Sequence, residues 1–185
     1  MKPRPEAATR RKPNRFTMLS SHELLGFMSP SLANEMLNWM HETERPTYKA
    51  TLQAVAEFRR LRVVFLERQP RPQRHATMVA AMNRPQMEMA ASTLLRTWLV
   101  KKYKDMLVDF LNSLGLPHED GVVEDLPKEM DDAKLKPAVE ALLAKYPHEV
   151  VGVYLNAFND MNEANWPNLK ALLEEDSRLQ LGVNG

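Results

Sequence analysis

Apolar residues along this chain recur at intervals of three and four almost throughout, and the two-residue alternation of a half-buried strand is nearly missing, so the pattern predicts an all-α fold. Ser20 and Glu23 have the S-x-x-E spacing of a capping box, opening a short helix that Gly26 weakens or ends. Ser29 caps the next, with Pro30 at its first position and Leu32, Met36, Trp39 and Met40 on one face as far as Thr43. Tyr48, Leu52, Val55, Phe58, Leu61 and Phe65 continue the spacing, and predict one long amphipathic helix over 47–68, stopped by the turn Gln69-Pro70-Arg71-Pro72. A smaller helix carries Ala76, Val79, Ala80 and Met82.

The strongest element spans Pro85 to Leu114, about 45 Å of helix at ~1.5 Å per residue. Its stripe of Met87, Ala91, Leu94, Trp98, Met106, Phe110 and Leu114, widened by Leu95, Leu99, Tyr103, Leu107 and Leu111, is too broad for a single partner helix. Gly115 is placed to cap it, and 116–121 reads as a turn. Beyond an acidic connection, Asp131 or Asp132 caps a helix with Leu135, Val139, Leu142 and Leu143, and Pro137 is tolerable only near its first turn. Pro147 starts another with Val150, Val151, Tyr154, Leu155 and Phe158, and Asn165 with Pro167 marks a last short one. The expected architecture is an irregular bundle of seven or eight helices over 16–180, gathered around a central helix at 85–114. A basic arm (1–15) precedes it and a frayed tail (181–185) follows. The segments share no residue pattern at a fixed period, which argues against a solenoid.

Composition narrows the chemistry. The chain of 185 residues has no cysteine, which excludes disulfides, thiolate nucleophiles, iron–sulfur clusters and Cys-based zinc sites. Its six glycines form neither a dinucleotide-binding G-x-G-x-x-G nor a P-loop. The longest uncharged run, Leu24 to Asn34, falls well short of the roughly twenty apolar residues of a membrane span, so no membrane insertion is expected. The basic arm holds three prolines and no apolar stretch follows it, so it reads as an arm rather than a leader, with the cytoplasm as the expected compartment.

Four of the five histidines precede a glutamate, as His22-Glu23, His41-Glu42, His118-Glu119 and His148-Glu149. Adjacent helical side chains diverge by about 100°, and neither H-E-x-x-H nor E-x-x-H occurs, so these pairs predict no metal site. The acidic run 118–132 lacks the ligand spacing of a calcium loop, and no G-x-S-x-G elbow is present. No cofactor is expected, and enzymatic function is the less favoured class.

Charge is the informative property. Net charge is only +1, yet residues 1–104 hold nineteen Lys and Arg against eight Asp and Glu, a surplus of +11. Residues 105–185 hold six against sixteen, or −10. Arg59, Arg60, Arg62, Arg68, Arg71 and Arg74, followed by His75, are the candidate binding residues, because the guanidinium fork grips carboxylate or phosphate in bidentate fashion. Three uses fit them: pairing with the acidic half of the same or a neighbouring molecule, binding an acidic protein partner, or gripping a nucleic-acid backbone. Phe58 and Phe65 are expected in the core rather than as a stacking platform. Met78, Met82, Met87 and Trp98 suggest either core filler or a groove for a partner helix or small ligand, the latter allowing an unrecognised hydrolase. The favoured expectation is a non-enzymatic helical interaction protein, associating through an Arg-rich and an acidic face. Nucleic-acid binding is the alternative.

Overall fold

A computed structural model describes residues 18–182; the predicted arm at 1–15 and most of the predicted tail lie outside the described residues. The described residues form ten α-helices: α1 Ser21–Phe27, α2 Pro30–Thr43, α3 Arg45–Phe58, α4 Val63–Glu67, α5 Arg71–Met82, α6 Glu88–Lys102, α7 Lys104–Leu114, α8 Asp132–Lys145, α9 His148–Asn162 and α10 Pro167–Glu175. A 3₁₀ turn, Pro85–Met87, leads into α6, and the only strand-like pairing described is an isolated bridge between Glu119 and Val122. The molecule is an all-α multi-helix bundle, with more helices than the sequence pattern predicts because two long predicted helices are each broken.

Helix starts follow local chemistry. The Glu23 carboxylate accepts from the Ser20 amide at 2.8 Å, completing the capping box of α1. Ser29 Oγ accepts from the Leu32 amide at 3.2 Å, and its own hydroxyl and amide donate to Glu149 on α9, so the cap of α2 is also a tertiary tie. Asp131 caps α8 through the Ala133 amide at 2.9 Å. Gly115 ends α7 at φ 69° with the paired bonds of a Schellman motif, Gly115 N–H to Asn112 and Leu116 N–H to Leu111, both 3.0 Å.

The predicted helix over 47–68 is interrupted. α3 ends at Phe58 in a second Schellman motif, with Arg60 N–H on the Glu57 carbonyl at 3.0 Å and Leu61 N–H on the Ala56 carbonyl at 2.8 Å. Arg60 takes the left-handed position at φ 55°, where glycine is usual. The chain turns and restarts as the short α4, so apolar residues that continue the spacing of α3 no longer continue its face.

The predicted central helix over 85–114 is likewise two rods meeting at Tyr103, whose backbone sits at φ −113°, ψ 29°. The apolar period runs through the joint without proline or glycine. The break answers the breadth of the stripe, since α6 packs on α1 and α3 whereas α7 packs chiefly on α8. Tyr103 itself meets Trp98 edge-on at 5.1 Å. α5 also begins earlier than the sequence suggests, because Pro72 occupies a first-turn position where its missing N–H costs nothing.

One contiguous cluster of buried apolar side chains runs from Leu24 to Leu179. α9 is its most enclosed element, with every residue from Val150 to Asn159 buried, as expected of a helix that is apolar nearly all round. At Gly152 the chain crosses so closely that an added Cβ would stand 2.7 Å from the Leu179 carbonyl oxygen. Phe110, Tyr154, Phe158 and Trp166 meet ring to ring beside it. The buried Trp166 indole donates to the Pro127 carbonyl at 2.8 Å, and Asn168 to that of Met130 at 2.7 Å, which together pin the long acidic connection 115–131 against the bundle.

Candidate functional site

The break after α3 creates a corner from residues 58–68. Phe58, Leu61, Val64 and Phe65 stand exposed there, Phe65 by 55% and Phe58 by 39%, while Leu66 alone is fully buried. This corrects the expected core placement of Phe58 and Phe65. Their spacing matches the stripe of α3, but the left-handed turn at Arg60 carries Phe65 away from that face and leaves Phe58, at the end of α3, without the following helical turn that would cover it. Arg59, Arg60, Arg62 and Arg68 are exposed among these apolar side chains, and none of them pairs with an acid among the described residues. Exposed apolar residues rimmed by charge mark interaction surfaces in folded proteins.

The opposed charges of the two halves are largely kept apart. Of the ion pairs among described residues, only Lys104 with Asp120, at 2.8 Å, joins residues 1–104 to residues 105–185. The others lie within one half, such as Lys101 with Glu44 at 2.7 Å, Lys145 with Asp109 at 2.6 Å, and Arg178 with Asp176 and Glu140. Pairing of the arginine cluster with the acidic half of its own molecule is therefore not what the fold does. Glu119, Asp120, Glu124, Asp125, Glu129, Asp131 and Asp132 are all exposed, with Val122 exposed among them.

The remaining predicted cations are not part of the exposed apolar-and-arginine surface. Arg71 reaches Glu42 at 3.5 Å. Arg74 is half-buried, and its Nη2 donates to the carbonyls of Glu67 at 2.9 Å and Gln69 at 3.2 Å, closing the turn between α4 and α5. His75 is not available to a partner, because it is only 1% exposed. Its Nδ1 meets Asn34 Oδ1 at 2.9 Å and its Nε2 meets the Tyr48 hydroxyl at 3.0 Å. An amide oxygen only accepts, so Nδ1 carries the proton and Nε2 accepts from Tyr48. Burial first, then Arg74, Arg71 and His41, hold the pKa of this ring down from 6.5 to about 4. His75 is thus a neutral brace between α2, α3 and α5.

Next to this brace lies a cavity of about 170 Å³ lined by His41, Arg45, Tyr48, Lys49, Leu52, Glu67 and Arg74. Sequence reasoning did not assemble it, since His41, Arg45 and Lys49 come from the end of α2 and the start of α3, away from the dense arginine run. His41 is pushed below its usual pKa by burial and then by Arg71, Arg45 and Arg74.

Met78, Met82, Met87 and Trp98 line no open groove. All four are buried in the shared core, where flexible thioethers fill space between helices, and Met89 is the exposed member of the run. A second cavity, about 60 Å³, lies between α6, α7, α9 and the loop at Gly121, with Tyr154 in its lining.

One constellation resembles catalytic machinery. His22 Nδ1 lies 3.0 Å from Ser20 Oγ and 2.5 Å from Glu88 Oε2. A relay needs serine and carboxylate on opposite ring nitrogens, whereas both address Nδ1 here. Glu88 also accepts from the amides of Ser21 at 3.1 Å and His22 at 2.9 Å, so its role is to cap α1 from α6. Burial raises the pKa of Glu88, but these bonds from His22 and Ser21 outweigh it and leave the group below the usual carboxylate range. Among the described residues no group of three or more His, Asp or Glu is placed to hold a metal ion, and no helix is long and apolar enough to cross a membrane. No family model matches this chain, and no curated protein or solved structure matches it at a significant level.

Proposed function

We propose that this protein is a non-enzymatic helical interaction module of the cytoplasm, docking an acidic, apolar-bearing protein surface at the corner formed by residues 58–68. The observation that carries the reading is the interleaving, at one corner, of four exposed apolar side chains with four arginines that have no acidic partner among the described residues. Phe and Leu anchors supply affinity on burial, about 1.5–3 kcal/mol for a fully covered side chain, and the arginines supply orientation and encounter rate. The acidic segment 118–132 of a second copy meets the description of the docked surface, being exposed, unpaired with the corner and studded with Val122. Made reciprocally such a contact gives a two-fold dimer, and made head to tail it closes into rings or grows into chains.

Sedimentation at low and high salt tests this. Wild type is expected to associate at low salt and dissociate as salt rises, and the double substitution Arg62→Ser with Phe65→Ser, at two exposed positions, to remain monomeric throughout. A wild-type protein that is monomeric at low salt and ignores an acidic peptide covering 118–132 refutes the reading.

The exposure of Phe58 and Phe65 between arginines also favours a second reading, a sequence-tolerant single-stranded nucleic-acid surface on which bases stack. Fluorescence anisotropy with labelled single-stranded DNA and RNA separates the two. Nucleic-acid binding that falls steeply with salt and is lost on Phe65→Ser supports it over protein docking.

A further inference from the structure

The cavity beside the His75 brace holds more positive charge and more free donors than the protein itself uses. Arg45 and Lys49 are exposed at its mouth, and neither pairs with an acid among the described residues. The acids nearest in sequence are directed elsewhere, Glu44 to Lys101 at 2.7 Å and Glu42 to Arg71 at 3.5 Å. Glu67 is the one carboxylate in the lining.

Deeper in, the Arg74 guanidinium is fixed through Nη2 by two backbone carbonyls, while its Nε is buried without a partner. His41 Nδ1 is also buried without a partner. Unpartnered buried nitrogens are costly in a folded protein, and two of them on side chains lining one cationic cavity mark it as a place where a polar group would be accommodated. The Tyr48 hydroxyl gives its proton to His75, so it offers an incoming ligand no donor, and recognition falls to the cations and His41. A volume of about 170 Å³ is room for the four oxygens of a phosphate with accompanying water.

We propose that this pocket binds the dianionic phosphoryl group of a small phosphate monoester. Arg45 and Lys49 grip it at the mouth, Arg74 forms the fixed base, and the His41 ring lines the wall beside it. A dianion matches several converging cations better than a carboxylate, which one guanidinium fork satisfies. The pocket adjoins the 58–68 corner through Glu67 but uses none of its exposed arginines or apolar side chains, and its ligand is a small molecule rather than a protein surface.

The test uses the full chain at about pH 7.5, where a monoester with a second pKa near 6 is dianionic. Inorganic phosphate and the amino acid phosphoserine are titrated against acetate and chloride at matched ionic strength, following the His41 ring resonances and the heat of binding. Phosphate and phosphoserine are expected to shift His41 saturably. The double substitution Arg45→Gln with Lys49→Gln is expected to weaken both at least about tenfold, equivalent to about 1.4 kcal/mol. Both positions are exposed and circular dichroism checks that the fold persists, while the Arg59→Gln, Arg62→Gln control binds as wild type. The assignment is overturned if acetate or chloride gives the same shift, if the Arg45, Lys49 variant binds unchanged, or if no saturable shift appears. Phosphate binding without phosphoserine binding overturns the monoester assignment.

Discussion

Acidification from neutral pH toward 4 is expected to weaken this fold, with His75 setting the window. The ring is buried with Nδ1–H on Asn34 and Nε2 accepting from Tyr48, an arrangement open only to neutral imidazole. Its pKa lies at about 4 in the folded protein and near 6.5 in the unfolded chain. Between those values the unfolded state binds the extra proton, so stability is fully present above pH 6.5 and is lost as pH falls toward 4. The interval corresponds to up to about 3 kcal/mol, a large part of a typical domain's stability. Urea unfolding midpoints between pH 7.5 and 4, for wild type and His75→Gln, measure it. The variant is less stable at neutral pH, since Tyr48 and Asn34 lose their partner, but its stability should depend far less on pH. His41, also lowered and coupled to His75, contributes to both curves and leaves a smaller pH dependence in the variant. Parallel pH dependences for the two proteins would refute the assignment of His75 as a neutral brace.

Other consequences follow from single backbone positions and caps. Arg60→Gly should stabilise by about 0.5–1 kcal/mol in chemical denaturation, since glycine removes the left-handed penalty at φ 55° and regains part of it as unfolded-state entropy. Gly152→Ala should lower stability by about 1–2 kcal/mol despite its better helix propensity, because the new methyl meets the Leu179 carbonyl at 2.7 Å, and thermal unfolding reads the loss. Glu88→Ala should cost about 1–2 kcal/mol by uncapping α1, with amide exchange accelerated first at Ser21 and His22.

What could be read in the sequence was what local chemistry decides. Ser20 with Glu23, Ser29 with Pro30, Gly115 and Asp131 each satisfy orphan helix-end groups within a few residues, and the chain folds there as the pattern predicts. The two breaks were hidden because neither Arg60 nor Tyr103 is a residue that signals a stop. Arg60 adopts a glycine conformation, and Tyr103 interrupts a helix whose apolar period continues on both sides. Missing the first break also hid the corner, since Phe58 and Phe65 fit the stripe of a helix that does not continue. The arginine run falls partly on the exposed corner, yet it includes His75, whose burial depends on Tyr48 and Asn34 from other helices. It omitted Arg45, Lys49 and His41, which only tertiary packing brings beside Arg74.

The most direct measurement is an amide-resonance titration of the labelled protein with a synthetic peptide covering its own residues 118–132. Docking at the corner predicts saturable shifts concentrated between Phe58 and Arg68, abolished by high salt and absent from the Arg62→Ser, Phe65→Ser variant. Shifts spread evenly over the surface, or none at low salt, contradict a docking role for the corner.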